Sequence, residues 1–151
     1  MSAGATLTPP LISVNSEVLG AMSVAADQVV ELTEGLYGFP TATRFALLPT
    51  PREGLYWLQS LDHTALVFLL VDPFPFFANY HVELGEADKA RLATTTAEDI
   101  LVLAIVTMPT APGGRPSANL HAPLMFNVRA GQGHQSIRPD NAFGIREEFD
   151  L

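Results

Sequence analysis

At 151 residues, 48% of them hydrophobic, the chain has the size of one domain that can bury its own core. It contains no cysteine, which excludes a thiol nucleophile, a disulfide framework and a thiolate zinc site. Acidic residues number 16 against 8 basic ones, and the formal net charge of -8 repels phosphate backbones and favours a basic protein partner over nucleic acid.

Met1 to Ser13 is rich in small residues and proline and has no apolar period, so residues 1–16 are expected to form a flexible extension. This start lacks a basic region followed by an apolar run, and no apolar segment approaches the ~18 residues of a membrane span. A soluble cytoplasmic protein is expected. From Glu17 to Leu32, Val18, Met22, Val24, Val29, Val30 and Leu32 are interrupted by Gly20 and by Asp27-Gln28, a pattern for two short strands joined by a turn. Glu34-Gly35-Leu36-Tyr37-Gly38-Phe39-Pro40 is turn chemistry, with Leu36, Tyr37 and Phe39 expected to pin the loop onto the core. Thr41 to Arg44 has room for one helical turn before a strand at Phe45 to Leu48. Arg52-Glu53-Gly54 then turns the chain into a strand at Leu55 to Ser60, with unequal faces.

The stretch that organises the chain is Ala65 to Tyr80. Its first seven residues, Ala65 to Val71, are all apolar, as in a strand covered on both faces and paired antiparallel with Leu55 to Ser60. Pro73 and Pro75 stop that strand, leaving Phe74, Phe76, Phe77 and Tyr80 on an irregular loop where they form either a satellite core or an anchor patch for a partner. A short strand is expected at His81 to Leu84. One helix follows over Gly85 to Leu92, with acids in its first turn, bases in its last, and Ala87, Ala90 and Leu92 on one face. Thr96 to Asp99 has capping spacing before a second doubly covered strand, Ile100 to Val106. Pro109 to Pro116 is a glycine and proline loop. Ser117 to Ala122 and Leu124 to Val128 are expected strands separated by Pro123, Arg129 to His134 a hairpin, and Gln135 to Ile137 the start of the last strand. Asp140 to Leu151 is an acidic tail carrying Phe143, Ile145 and Phe149, either a terminal strand or a segment ordered by a partner. With so little helix to cover two buried strands, the sheet must curl over itself. The expected fold is all-β, a small, partly open antiparallel barrel with one short helix over residues 17–139.

No catalytic constellation stands out. His63, His81, His121 and His134 lack short ligand spacing, and no serine elbow, phosphate loop or dinucleotide fingerprint occurs. No metal and no cofactor are expected. Asp72 ends a buried strand before proline. As a desolvated base it would support an alternative function, a small-molecule barrel or weak hydrolase working with a neighbouring histidine; as a turn former it would satisfy loop amides, and the second reading is favoured.

Six motifs in order carry a family resemblance: Gly35-Leu36-x-Gly38-Phe39; Tyr56-Trp57-Leu58-Gln59-Ser60; Val71-Asp72-Pro73-Phe74-x-Phe76-Phe77 with Tyr80; Leu103 to Thr107; Ala118-Asn119-Leu120-x-Ala122-Pro123; and Gly133-x-Gln135. Together, over roughly Gly20 to Ile145, the chain resembles the FliW family of flagellar assembly factors. The resemblance implies a non-enzymatic cytoplasmic protein that binds flagellin and also CsrA, a basic RNA-binding repressor of flagellin synthesis, without contacting nucleic acid or membrane itself. The residues assigned to partner contact are Phe74, Phe76, Phe77, Tyr80 and Glu83. Leu58, Val71, Ile105 and Leu120 are assigned to packing, and Asn119 to bonding its own loop.

Overall fold

Strand alternation, hidden in the sequence by the unbroken apolar runs, explains the architecture. The computed structural model describes residues 10–138 and 142–151. Its strands are β1 (Leu11–Ser16), β2 (Gly20–Ala25), β3 (Val29–Glu31), β4 (Arg44–Pro49), β5 (Leu55–Ser60) and β6 (Val67–Val71), then helix α1 (Glu86–Arg91), then β7 (Leu101–Thr107), β8 (Ser117–Ala118), β9 (Leu124–Asn127), β10 (Gln132–Gln135) and β11 (Glu147–Glu148). On β6, Phe68 and Leu70 point to one core and Leu69 and Val71 to another. On β7, Leu101, Leu103 and Ile105 join the first core, while Ala104 and Val106 join the second. A period of two is present, but each face has its own apolar cover, so no polar residue marks it.

The barrel is the ring β3, β4, β5, β6, β7, β9 and β10. Neighbours are antiparallel except at the seam, where β10 meets β3 in parallel through the single register pair Gln132 and Glu31, and Glu31 N–H donates to Gly131 C=O at 2.8 Å. The fold is therefore the expected small β-barrel, closed at a seam one residue pair wide. Val30, Phe45, Leu58, Leu70, Leu103 and Phe126 fill its interior. Outside it, β8 and β11 extend the sheet from β7 and cover the second core with Tyr80, Leu120 and Phe149. The hairpin of β1 and β2 closes a third core over Ala46, and Leu92, just after α1, closes a fourth with Val102 and Met125.

Several expectations change. Leu11–Ser16 is not part of a loose extension: all six residues pair with β2, and Val14 and Ser16 are buried. Residues 1–9 lie outside the described residues. The tail is not separate either, because β11 pairs with β8 and Phe149 is a core residue; residues 140 and 141 lie outside the described residues. His81 to Leu84 forms no strand, although Val82 and Leu84 pack against the core of Leu92, Val102 and Met125. Thr41 to Arg44 makes no helical turn, since Arg44 already pairs with Glu31. Only Ser117–Ala118 of the expected Ser117 to Ala122 strand is extended, and the strand expected from Gln135 begins at Gln132. On α1, Ala87 and Ala90 are exposed, and the buried side chains are Asp88 in the helix and Leu92 at its end.

Candidate functional site

The aromatic loop divides between the two alternatives left open by its sequence. Asp72 is a turn former: its Oδ1 accepts from the Phe74 N–H at 3.2 Å, while Phe76 N–H and Phe77 N–H both donate to the Pro73 carbonyl. Tyr80 is not presented to a partner. It is 2% exposed, its hydroxyl donates to the Leu120 carbonyl at 2.8 Å, and burial pushes its pKa up to about 12. Phe77 is half-buried against Phe149, and Phe143 meets Tyr80 edge-on. Phe74 and Phe76 each keep one side on this cluster, on Tyr80 and Phe149 respectively, yet remain 43% and 38% exposed. Glu83 has an exposed side chain, and its carbonyl accepts from Arg138 Nη2.

The loop between β3 and β4 behaves in the opposite way. Gly35 adopts φ +68 and Gly38 φ +90, and Leu36 and Phe39 exchange backbone hydrogen bonds across the turn between them. Leu36 is buried as expected. Tyr37 and Phe39 are not pins: they are 62% and 41% exposed. Phe39 packs edge-on against Phe68, with ring centroids 5.5 Å apart, and no ring packs on Tyr37 among the described residues. The Tyr37 N–H donates to Gln135 Oε1 at 2.9 Å, fixing the turn to β10. A cleft of about 330 Å³ lies on one side of this loop, where Arg91 pairs with Glu34 beside His134. An apolar groove of about 360 Å³ lies on the other, between Phe39 and Leu66.

Between these regions sits a buried polar cluster centred on Asp88. The Asp88 carboxylate accepts from the Gly85 N–H, the Ser136 hydroxyl, His134 Nε2–H and Arg138 Nη1, all at 3.0 to 3.1 Å. Burial alone would raise the Asp88 pKa; the Gly85 N–H, Ser136 and Arg138 outweigh it and hold the carboxyl below its ordinary range. Burial lowers the His134 pKa despite the attraction of Asp88, so at neutral pH the contact is a hydrogen bond from neutral imidazole rather than an ion pair. Serine, histidine and aspartate are all present, but Ser136 and His134 both donate to Asp88 Oδ1. The histidine is thus a donor to the acid and not a base for the serine, and the arrangement clamps α1 to β10 without activating a nucleophile. Among the described residues, no three histidines or carboxylates gather as a metal-binding group.

The clamp is not evident from the expected elements, because a hairpin ending at His134 and a strand start over Gln135 to Ile137 separate His134 from Ser136 and leave Arg138 outside both. Their spacing of two places all three on one face of an extended segment, and that was the available signal. Asn119 bonds within its own loop as expected, its Oδ1 accepting from the Ala122 N–H.

The family profile described as FliW protein matches residues 13–149. The chain is 30% identical over 139 residues to the flagellar assembly factor FliW of Treponema denticola, covering 91% of this chain and 93% of that protein. It is 37% identical over 123 residues to the same factor of Symbiobacterium thermophilum, with 80% and 88% covered. A crystal structure of the flagellar assembly factor FliW matches with a TM-score of 0.83 at 26% identity, over 93% of this chain and 98% of that one.

Proposed function

We propose how the chain works from one premise: it belongs to the FliW family of flagellar assembly factors. On that premise it is a non-catalytic partner switch of the cytoplasm. It holds flagellin before export, and when export drains flagellin it captures CsrA and lifts the repression of flagellin synthesis. The observation that carries this reading is the family match over residues 13–149. The net charge of -8 supports it, because an acidic surface attracts a basic RNA-binding protein and disfavours RNA beside it.

Phe74, Phe76 and Glu83 are the proposed contact residues of the aromatic loop, with Phe77 and Tyr80 supporting them from below. Exposed ring edges held on a packed base can enter a partner without first being ordered, which suits a docking site. Size exclusion and calorimetry with CsrA and flagellin from the same organism test the proposal. A discrete complex with each is expected, and absence of both would refute it.

A further inference from the structure

We propose that Phe39 with the apolar groove it lines, and Tyr37 on the opposite shoulder of the same turn, form a second docking surface whose occupant is a basic protein segment that inserts an apolar side chain into the groove. The surface deepens the partner-switch reading and rests on it for the natural probe.

The backbone here is more constrained than folding requires. A Cβ on Gly35 would stand 2.7 Å from the carbonyl oxygens of Phe39 and Pro40, so the turn closes only with glycine. Leu36 is buried, Phe39 C=O also accepts from the Ala42 N–H, and Gln135 holds the Tyr37 N–H. On this fixed frame, two aromatic rings point outward. A loop evolved only to join β3 to β4 would bury them or do without them; a rigid loop that exposes them has already met the ordering cost of binding. Other exposed apolar residues, such as Leu11, Val18 and Val128, stand singly and need no explanation.

The groove sets the chemistry of its occupant. Phe39, Pro40, Ala42, Ala65 and Leu66 form its apolar lining and His63 and Thr41 its polar edge, and its volume of about 360 Å³ suits one or two apolar side chains. The segments bounding the groove carry the carboxylates of Glu17, which accepts from the Thr64 hydroxyl, of Glu31, which lies opposite Arg44, and of Asp62, against the single guanidinium of Arg44. Glu34 and Arg91, on the other side of the loop, pair with each other. Asp62 accepts from the N–H groups of Thr43 and Arg44, which hold its carboxyl ionised. An apolar slot in an acidic surround fits a segment that combines Leu, Ile or Phe with Lys or Arg.

The test uses the full chain. Calorimetric titration of CsrA into Tyr37→Ser and Phe39→Ser is expected to give affinities reduced about 30-fold, the weakening that marks an anchor residue. Tyr37→Ser carries the result if Phe39→Ser alters folding, because Tyr37 has no ring partner to lose among the described residues. Unchanged affinity in Tyr37→Ser would overturn the proposal. So would a wild-type dimer that both substitutions convert to monomer in sedimentation, which would assign the surface to a second copy of the chain. If the wild type binds neither CsrA nor flagellin, the partner-switch reading fails, and a synthetic leucine and lysine helical peptide becomes the NMR probe. Shifts confined to residues 36–42 and 63–66 would then uphold the surface, and absent or dispersed shifts would overturn it.

Discussion

The two aromatic loops of this barrel use similar residues for different ends. After β6, the rings of residues 74–80 lean on one another and on Phe149, so Tyr80 is core and Phe77 half-buried, while Phe74 and Phe76 keep one side on this base and the other to solvent. Between β3 and β4, Leu32, Leu36 and Ala42 are buried while Tyr37 and Phe39 stand out from a turn fixed by Gly35 and Gln135. In the first loop side chains hold the backbone; in the second the backbone holds side chains. Aromatic content therefore does not reveal exposure. The partners available to each ring decide it.

Tyr80→Ala should give the largest effect and is the most direct way to break this contrast. Removing a fully covered ring together with its hydrogen bond to Leu120 should destabilise the protein by about 3–5 kcal/mol in urea denaturation. Tyr80→Phe, which keeps the ring and loses only the hydroxyl, should cost about 1 kcal/mol. A small loss for Tyr80→Ala would mean that the first loop is as independent of the core as the second.

The barrel and most of its strands were legible in the sequence because proline, glycine and the apolar runs punctuate it clearly. Leu55–Ser60 lies where the pattern placed it, Val67–Val71 and Leu101–Thr107 lie within two residues of the expected Ala65 to Val71 and Ile100 to Val106, and the short helix follows from its charges. What escaped depended on contacts between distant residues. Leu11–Ser16 lacks an apolar pattern of its own and becomes a strand by pairing with β2 and covering Ala46. Asp88 looks like a first-turn helix acid whose local donor is the Gly85 N–H, and only the return of the chain 46 to 50 residues later supplies its other three donors. Tyr37 and Phe39 were assigned inward because apolar residues in a glycine turn usually anchor it, and Leu36 fills the one inward place.

Gly35→Ala tests the rigidity of the second loop, with Gly38→Ala as its internal control. Both glycines have positive φ, but a Cβ on Gly38 meets nothing within 4 Å, whereas one on Gly35 meets two carbonyl oxygens. Gly38→Ala should cost about 1 kcal/mol, and Gly35→Ala about 2–3 kcal/mol with a matching loss of partner affinity. Equal costs would remove the argument for a preorganised ridge.

Acid should separate the two regions through the clamp between them. The folded pKa of His134 lies below 6.5, lowered by burial and by Arg91 and Arg138 against the pull of Asp88. The unfolded chain therefore takes up the proton first. Stability should fall as pH drops below 6.5 through the His134 step, and fall further below 3.8 as Asp88 protonates. His134→Gln should flatten the upper step and leave the lower one. Because Asp88 holds the Gly85 N–H and Arg138 reaches the Glu83 carbonyl, hydrogen-exchange protection at Gly85 should weaken in the upper step before that at Tyr37. Simultaneous loss would show that both loops share one cooperative unit.

Tyr37→Ala should have the smallest effect on stability and for that reason defines the second loop most sharply. The side chain is 62% exposed, and the loop is held by the Tyr37 backbone N–H, which alanine retains. A change within about 0.5 kcal/mol is expected in urea denaturation. The same substitution should weaken partner binding strongly, so the two measurements move apart. In the first loop they should move together for Tyr80, whose loss disturbs the base on which Phe74 and Phe76 rest. A stability cost for Tyr37→Ala near that of Tyr80→Ala would place its ring in a core and end the distinction between a loop that packs its rings and a loop that displays them.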